Sequence, residues 1–208
     1  MRGVASASAG GVYDDVRVLR FPWRKALTAV GISLAVVVAG FLTTNTYTTL
    51  WQQSLDARWA EIVAGGGSIV PARGEPVAKM LIPSLGIEHV VLEGQERSIL
   101  RKGPGHVPGT PLPGGQGNAV IRGHRVLWSG PFRDLHLLNL GSEIHIQTVG
   151  GTSTYLVAAV FRQDGSRVDM FEETPLPYLT LVTSDPPLRA DGTLVVRAAL
   201  VERNGEAV

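Results

Sequence analysis

Cysteine is absent from the 208 residues. Its absence excludes disulfide frameworks, thiolate zinc sites, iron–sulfur clusters and every thiol nucleophile, and leaves the redox compartment open. Charge is also scarce, at 18% of residues with a formal net of +1. Outside the first 25 residues no surplus of Lys or Arg remains for a nucleic-acid backbone, so no nucleic-acid partner is expected. The glycines of 114–118 lack the lysine of a phosphate-binding loop. None of the five histidines has the i, i+4 partner of a helical zinc motif. The acids Asp164, Asp169, Glu172 and Glu173 lack calcium-loop spacing. Neither a metal nor a cofactor is expected, and no repeat of solenoid length occurs.

Hydrophobic residues make up 44% of the chain and are unevenly placed. Residues 1–25 carry a net charge of +3, residues 26–50 carry no charge, and residues 51–208 carry a net of −2. At about 1.5 Å per residue, roughly 20 helical residues cross a hydrocarbon core, and Ala26 to Thr46 is long enough. A cleaved signal peptide has a shorter apolar region, of about 7–15 residues. Arg24 and Lys25 at its start predict a cytoplasmic N-terminus, with Tyr47 and Trp51 in an outer aromatic belt. The expected order is a cytoplasmic basic tail (1–25) whose Ala/Gly-rich start has little to pack, then a transmembrane anchor (26–50). A helical stalk and Gly/Pro linker (51–75), a β domain (76–203) and a short tail (204–208) follow.

From residue 77 the pattern is β. Runs at 77–84, 87–94, 118–124, 142–148, 154–162, 178–183 and 193–201 are rich in β-branched residues and bounded by Gly and Pro. Residues 95–102 offer one short helix. The predicted fold is mainly β: a closed, antiparallel-dominated barrel of about 7–8 strands with short helices. His89 and His145 alternate with apolar neighbours and are expected on polar strand faces.

His124 is different, because it ends the apolar run 118–124. A residue at the exit of a buried strand is rigidly held yet accessible, as a general acid or base must be. The same layout recurs at Ser184, where the run 178–183 meets Asp185-Pro186-Pro187. Ser184 becomes a candidate nucleophile if His124 lies beside it, with Asp185 or Asp134 orienting the imidazole. Ser-Asp-Pro is equally a turn opener.

The stretch 103–126, ending in Gly123-His124-Arg125, together with the leucine-rich stretch 132–146, Thr180-Leu181-Val182-Thr183-Ser184 and the final strand at 194–198, resembles the sortases. These are extracytoplasmic transpeptidases of Gram-positive bacteria, and the similarity is greatest to the class E branch of actinobacteria. The resemblance spans about residues 76–203 in the expected order. It implies a closed β-barrel, His124 as acid/base, and substrate contacts at Thr183 and Thr193. The partners it implies are secreted proteins bearing C-terminal sorting signals and an amine acceptor of the cell wall or another protein.

Two departures stand out. The family's nucleophile is cysteine, and Ser184 occupies its place; the family's arginine falls at Thr193. Arg189 and Arg197 flank Thr193 by four residues on either side, and four residues along a strand is about 13 Å. A thiol beside an imidazolium ionises near neutral pH, whereas a serine hydroxyl needs a true general base. Exchange of the nucleophile alone accounts for Ser184 but not for Thr193. Three readings stay open: a serine-based sortase-like acyl transferase, an inactive module that binds sorting peptides or a partner protein, and a structural wall-associated domain.

Overall fold

A computed structural model of the chain describes residues 23–65, 71–164, 176–187 and 191–208. The basic tail up to residue 22 lies outside the described residues. So do most of the acidic loop after Asp164, and Arg189. The chain divides into two compact units, 1–39 and 40–208.

Helix α1 (Trp23–Ala64) begins in the first unit. Val30, Ile32, Leu34 and Val36 each stay more than 60% exposed. Its most apolar 18-residue window has a mean hydropathy of 2.2 and none of it is buried in protein, so the helix is long and apolar enough to cross a membrane. The Thr28 hydroxyl donates back to the Lys25 carbonyl at 2.9 Å, which hides a polar group within the helix.

In the second unit the same helix carries a buried stripe of Thr48, Gln52, Leu55 and Trp59, the i, i+4, i+7 spacing of one helix face. Leu55 and Trp59 pack on Val90, Leu92 and Ile99. The Gln52 amide donates to the Lys102 carbonyl at 2.8 Å and accepts the Val90 N–H at 2.8 Å. A Cβ on Gly103 would lie 2.1 Å from Gln52 Nε2, so this close approach depends on glycine.

The barrel is built from β1 (Pro76–Ile82), β2 (Ile87–Glu93), β3 (Gly105–His106), β4 (Asn118–Arg122), β5 (Glu143–Thr148), β6 (Gly151–Asp164), β7 (Tyr178–Ser184) and β8 (Gly192–Arg203). The strand order is β6-β5-β1-β2-β3-β4-β7-β8, and pairing of β6 with β8 closes the ring. Among the described residues only β2–β3 and β4–β7 are parallel, so the expected closed, antiparallel-dominated barrel of about eight strands is what forms. The short helix within 95–102 is α2 (Arg97–Leu100). Residues 204–208, expected as a tail, instead turn at Asn204-Gly205, both at positive φ, and lay β9 (Glu206–Ala207) against β8.

Alternation fills the interior. Met80, Ile144, Ile146, Tyr155, Leu181 and Val196 are fully buried in one core. In β5, Glu143 and Gln147 face out between them, with His145 on the same polar face. Strands β4, β7 and β8 are covered on both faces, because Val107, Val120, Val182 and Val195 form a second cluster. Strands sheathed on both sides read as nearly continuous apolar runs. They give the strand ends that carry His124 and Ser184 a rigid base.

Candidate active site

Parallel pairing of β4 with β7 sets the strand ends that lead to the two candidate residues side by side. Asn118 of β4 aligns with Tyr178 of β7, and the register holds through Arg122 and Val182. Two hydrogen bonds extend it past the strand end. The Gly123 N–H donates to the Val182 carbonyl at 3.1 Å, and the buried Thr183 hydroxyl donates to the Gly123 carbonyl at 2.9 Å. His124 and Ser184 are the residues that follow Gly123 and Thr183 in the sequence, His124 just past the end of β4 and Ser184 at the end of β7.

The His124 backbone is pinned from a second side. The Phe132 N–H donates to its carbonyl at 3.0 Å, and the fully buried Phe132 ring lies where a Cβ on Gly123 would be, at 2.7 Å. Between them runs a loop in which Trp128 and Ser129 both adopt positive φ, a costly conformation for non-glycine residues. Contacts on α1 hold it: Asn45 Oδ1 accepts the Ser129 N–H at 3.1 Å, and Tyr47 meets Trp128 edge-on at 5.6 Å.

His124 is half-buried. Burial, with the Arg101 and Arg97 guanidiniums adding to it, holds its imidazole below the ordinary pKa. At neutral pH the ring is therefore uncharged and able to accept a proton.

Ser184 is half-buried at the end of β7, opposite Thr193 of β8. Thr193 is itself buried and pairs with Gln163 on its other side. Arg125 was not among the residues singled out by sequence, yet it lies here, 9% exposed. It donates to the Ser184 carbonyl at 3.2 Å and pairs closely with Asp185. Arg162 approaches the same carboxylate at 3.8 Å. Asp185 is thus engaged by arginines. Asp134 lines a separate polar cavity with Gly86, His89 and Arg133.

Arg197 is not brought to Ser184. It pairs with Thr180, four positions down the strand from Thr193, with its guanidinium 6.0 Å from the Tyr178 ring centre. The sequence signal for Arg125 is its position directly after His124, but its turn toward Ser184 depends on contacts 60 residues away.

The other histidines have different surroundings. His106 is buried, with Nδ1 2.7 Å from Glu93 Oε2 and Nε2 3.0 Å from Thr110 Oγ1, fastening the segment between β3 and β4. His89 lies against α1, where burial lowers its pKa. Among the described residues no group of three or more His, Asp or Glu is placed to hold a metal ion.

Comparison with known proteins adds an independent finding. Residues 80–201 match the family model described as "Sortase domain". No curated protein matches the chain. Among solved structures, sortase E from Streptomyces avermitilis is similar at 32% identity and a TM-score of 0.57, over 64% of this chain and 91% of that one. The SrtF sortase from Corynebacterium diphtheriae is similar at 26% identity and a TM-score of 0.60, over 65% and 89%. A Clostridium perfringens sortase C, solved with the C-terminal cell wall sorting motif, shares the fold at 22% identity and a TM-score of 0.60, over 74% and 89%.

Proposed function

The chain belongs to the sortase family, and from that premise we propose that it is a membrane-anchored, class E-like member built around serine. In this reading Ser184 is the nucleophile and His124 the acid/base. The anchor at 26–50 spans the membrane, with the N-terminus cytoplasmic and the barrel outside, as Arg24 and Lys25 at its start favour. The substrates are secreted proteins carrying C-terminal sorting signals. That class is suggested by the clostridial sortase C solved with such a motif. The acceptor is an amine of the cell wall or another protein.

One observation supports the reading: the Gly123–Val182 and Thr183–Gly123 hydrogen bonds join the segments that lead into His124 and Ser184, and the His124 imidazole has a lowered pKa. The chemistry follows from those two groups. His124 takes the Ser184 hydroxyl proton as the oxygen attacks the carbonyl carbon of the Thr–Gly bond. The departing amine takes that proton, leaving an ester on Ser184. The acceptor amine then attacks the ester while His124 removes its proton, and that proton returns to the Ser184 oxygen. Water in the amine's place gives hydrolysis. Arg125 fixes the Ser184 backbone through its bond to the carbonyl.

A specific observation favours a second reading. Thr193 stands where the family arginine is expected, and Asp185 is held by Arg125 and Arg162 instead of orienting an imidazole. Loss of one oxyanion donor typically costs about 2.7–4 kcal/mol. The alternative is an inactive sortase-fold module that binds sorting peptides or a partner protein. Incubating the full chain in detergent with sorting-signal peptides and a glycine-based amine separates the two. Peptide–amine product absent in His124→Ala supports the enzyme, and saturable binding without product supports the module.

A further inference from the structure

Within the second unit, α1 meets the rest of the chain at one level. Asn45 accepts the Ser129 N–H, Tyr47 meets the Trp128 ring, and the Thr48 hydroxyl donates to the Arg101 carbonyl at 3.2 Å. One turn further on, Gln52 donates to the Lys102 carbonyl. These contacts fix the loop after His124 and the residues just past α2 to positions 45–52 of the helix.

The outward side chains of this belt are apolar or aromatic on one hand and cationic on the other. Tyr47, Leu50 and Leu127 are 39%, 60% and 49% exposed. Arg97 and Arg101 are exposed, and Lys102 is half-buried. The Arg101 guanidinium lies 5.0 Å from the centre of the Trp128 ring, and the Lys102 ammonium 4.1 Å from that of Trp51. Among the described residues none of these three cations is paired with a carboxylate. The acids nearest in sequence are engaged elsewhere: Glu96 pairs with Arg73, and Asp56 and Glu88 pair with Lys79. Lying over a ring leaves most of a cation's N–H donors open.

Counting residues gives the height of the belt, and here the inference rests on the proposed anchor at 26–50, not on the chemistry of Ser184. A hydrocarbon core of about 30 Å takes roughly 20 helical residues, so one that begins at Ala26 ends at Asn45. Headgroups fill about 5–8 Å beyond it on each side. That is roughly 3–5 residues of helix, from Thr46 to Leu50. Trp and Tyr rings favour this layer, and Arg and Lys reach from it toward phosphate.

We propose that this belt is a docking surface for anionic phospholipid headgroups. Tyr47, Leu127 and Trp128 enter the interface, and Arg97, Arg101 and Lys102 take the phosphates. The barrel is thereby seated on the bilayer by the loop that follows His124. Three cations without carboxylates call for a surface of net negative charge, which a zwitterionic lipid does not offer. The bilayer is the occupant because the length of the span already puts it at this height.

The test uses the full chain in lipid nanodiscs of phosphatidylcholine, alone or mixed with phosphatidylglycerol. The chain has no cysteine, so Leu127→Cys gives a single site for a nitroxide. Its collisions with a water-soluble nickel chelate and with lipid-soluble oxygen are read by EPR. Val149→Cys is the distant control, since Val149 shares a cavity wall with Trp59 and Ile62. Those residues lie about 17–21 Å further along the helix than Thr48. With phosphatidylglycerol present, the label at 127 should meet the chelate at least fivefold less than the label at 149. That difference should shrink at least twofold without phosphatidylglycerol, and likewise when Arg97→Gln, Arg101→Gln and Lys102→Gln are combined. A label at 127 as open to the chelate as that at 149 overturns the proposal. So does shielding at 127 that ignores lipid charge, which would assign the belt to a second copy of the chain or a protein partner. The lipid comparison needs no charge variant, so it decides the matter even if the triple variant fails to fold. A third label, on Leu34→Cys, shows whether the helix is inserted. A water-exposed label there overturns the anchor and the docking with it, whereas an inserted helix with an open label at 127 overturns the docking alone.

Discussion

The Thr183 hydroxyl donates to the Gly123 carbonyl at 2.9 Å, and so ties the residue before Ser184 to the residue before His124. Replacing the hydroxyl by a methyl, as in Thr183→Val, leaves a buried carbonyl without its partner. The expected cost is about 1–3 kcal/mol in stability, read by denaturant unfolding of the full chain in detergent. Turnover of a sorting-signal peptide should fall by more than the stability loss explains, because the two strand ends are no longer locked together. Thr183→Ser keeps the bond and should retain most of both.

The pH behaviour follows from the lowered pKa of His124. On the proposed reading its neutral form is the base, so activity should persist as pH falls through the ordinary histidine value of about 6.5 and decline only below it. Arg101→Gln with Arg97→Gln removes two neighbouring cations and makes protonation easier. The acid limb should therefore move to higher pH, with the ring signal of His124 titrating correspondingly higher by NMR. Stability has the same origin. In the folded state burial holds His89 and His124 low, so the unfolded chain binds protons first and the fold weakens as pH drops below about 6.5.

Arg125 is a positioning residue, bonded to the Ser184 carbonyl and paired with Asp185. Arg125→Met should cost about 1.5–3 kcal/mol and lower kcat at least tenfold with KM little changed, because its partners are protein groups and not substrate. Arg125→Lys should recover part of the stability and less of the rate, since an ammonium cannot reproduce the fork. A KM effect as large as the kcat effect would place Arg125 on the substrate instead.

On the proposed reading Ser184 and Thr193 together limit the rate. Ser184→Cys supplies a nucleophile that ionises near neutral pH, and Thr193→Arg supplies a cation next to it on β8. The double variant should turn over sorting-signal peptides at least tenfold faster than the unaltered chain, and each single variant should gain less. Initial rates at equal protein concentration, by chromatography of the peptide products, check this.

Much of this architecture is legible in the sequence, for physical reasons. Strand β5 alternates cleanly because one face is solvated, while β4 and β7 read as apolar runs because both faces are covered. Two-residue strands such as β3 and β9 carry too few side chains for a period to show, although Asn204-Gly205 is a hairpin signal. The helix stripe at Thr48, Gln52, Leu55 and Trp59 is half polar, so its seating against β2 and α2 is invisible to hydropathy. His124 and Ser184 stand out at the ends of apolar runs. Arg125 does not, because only parallel pairing of strands 60 residues apart sets it beside Asp185. Counting along the strand sets Arg197 about 13 Å from Thr193, and its guanidinium lies by Tyr178, at the other end of β7 from Ser184.

The central claim is that His124 activates Ser184 as a nucleophile, and the most direct test is the intact mass of the full chain after incubation with a sorting-signal peptide and no amine. The account predicts an added mass equal to the peptide acyl fragment, mapped by proteolysis to Ser184. It should be absent in Ser184→Ala and His124→Ala, and discharged when a glycine-based amine is added. An unaltered mass over days, with the peptide bound and intact, would contradict it and leave a sortase-fold binding module.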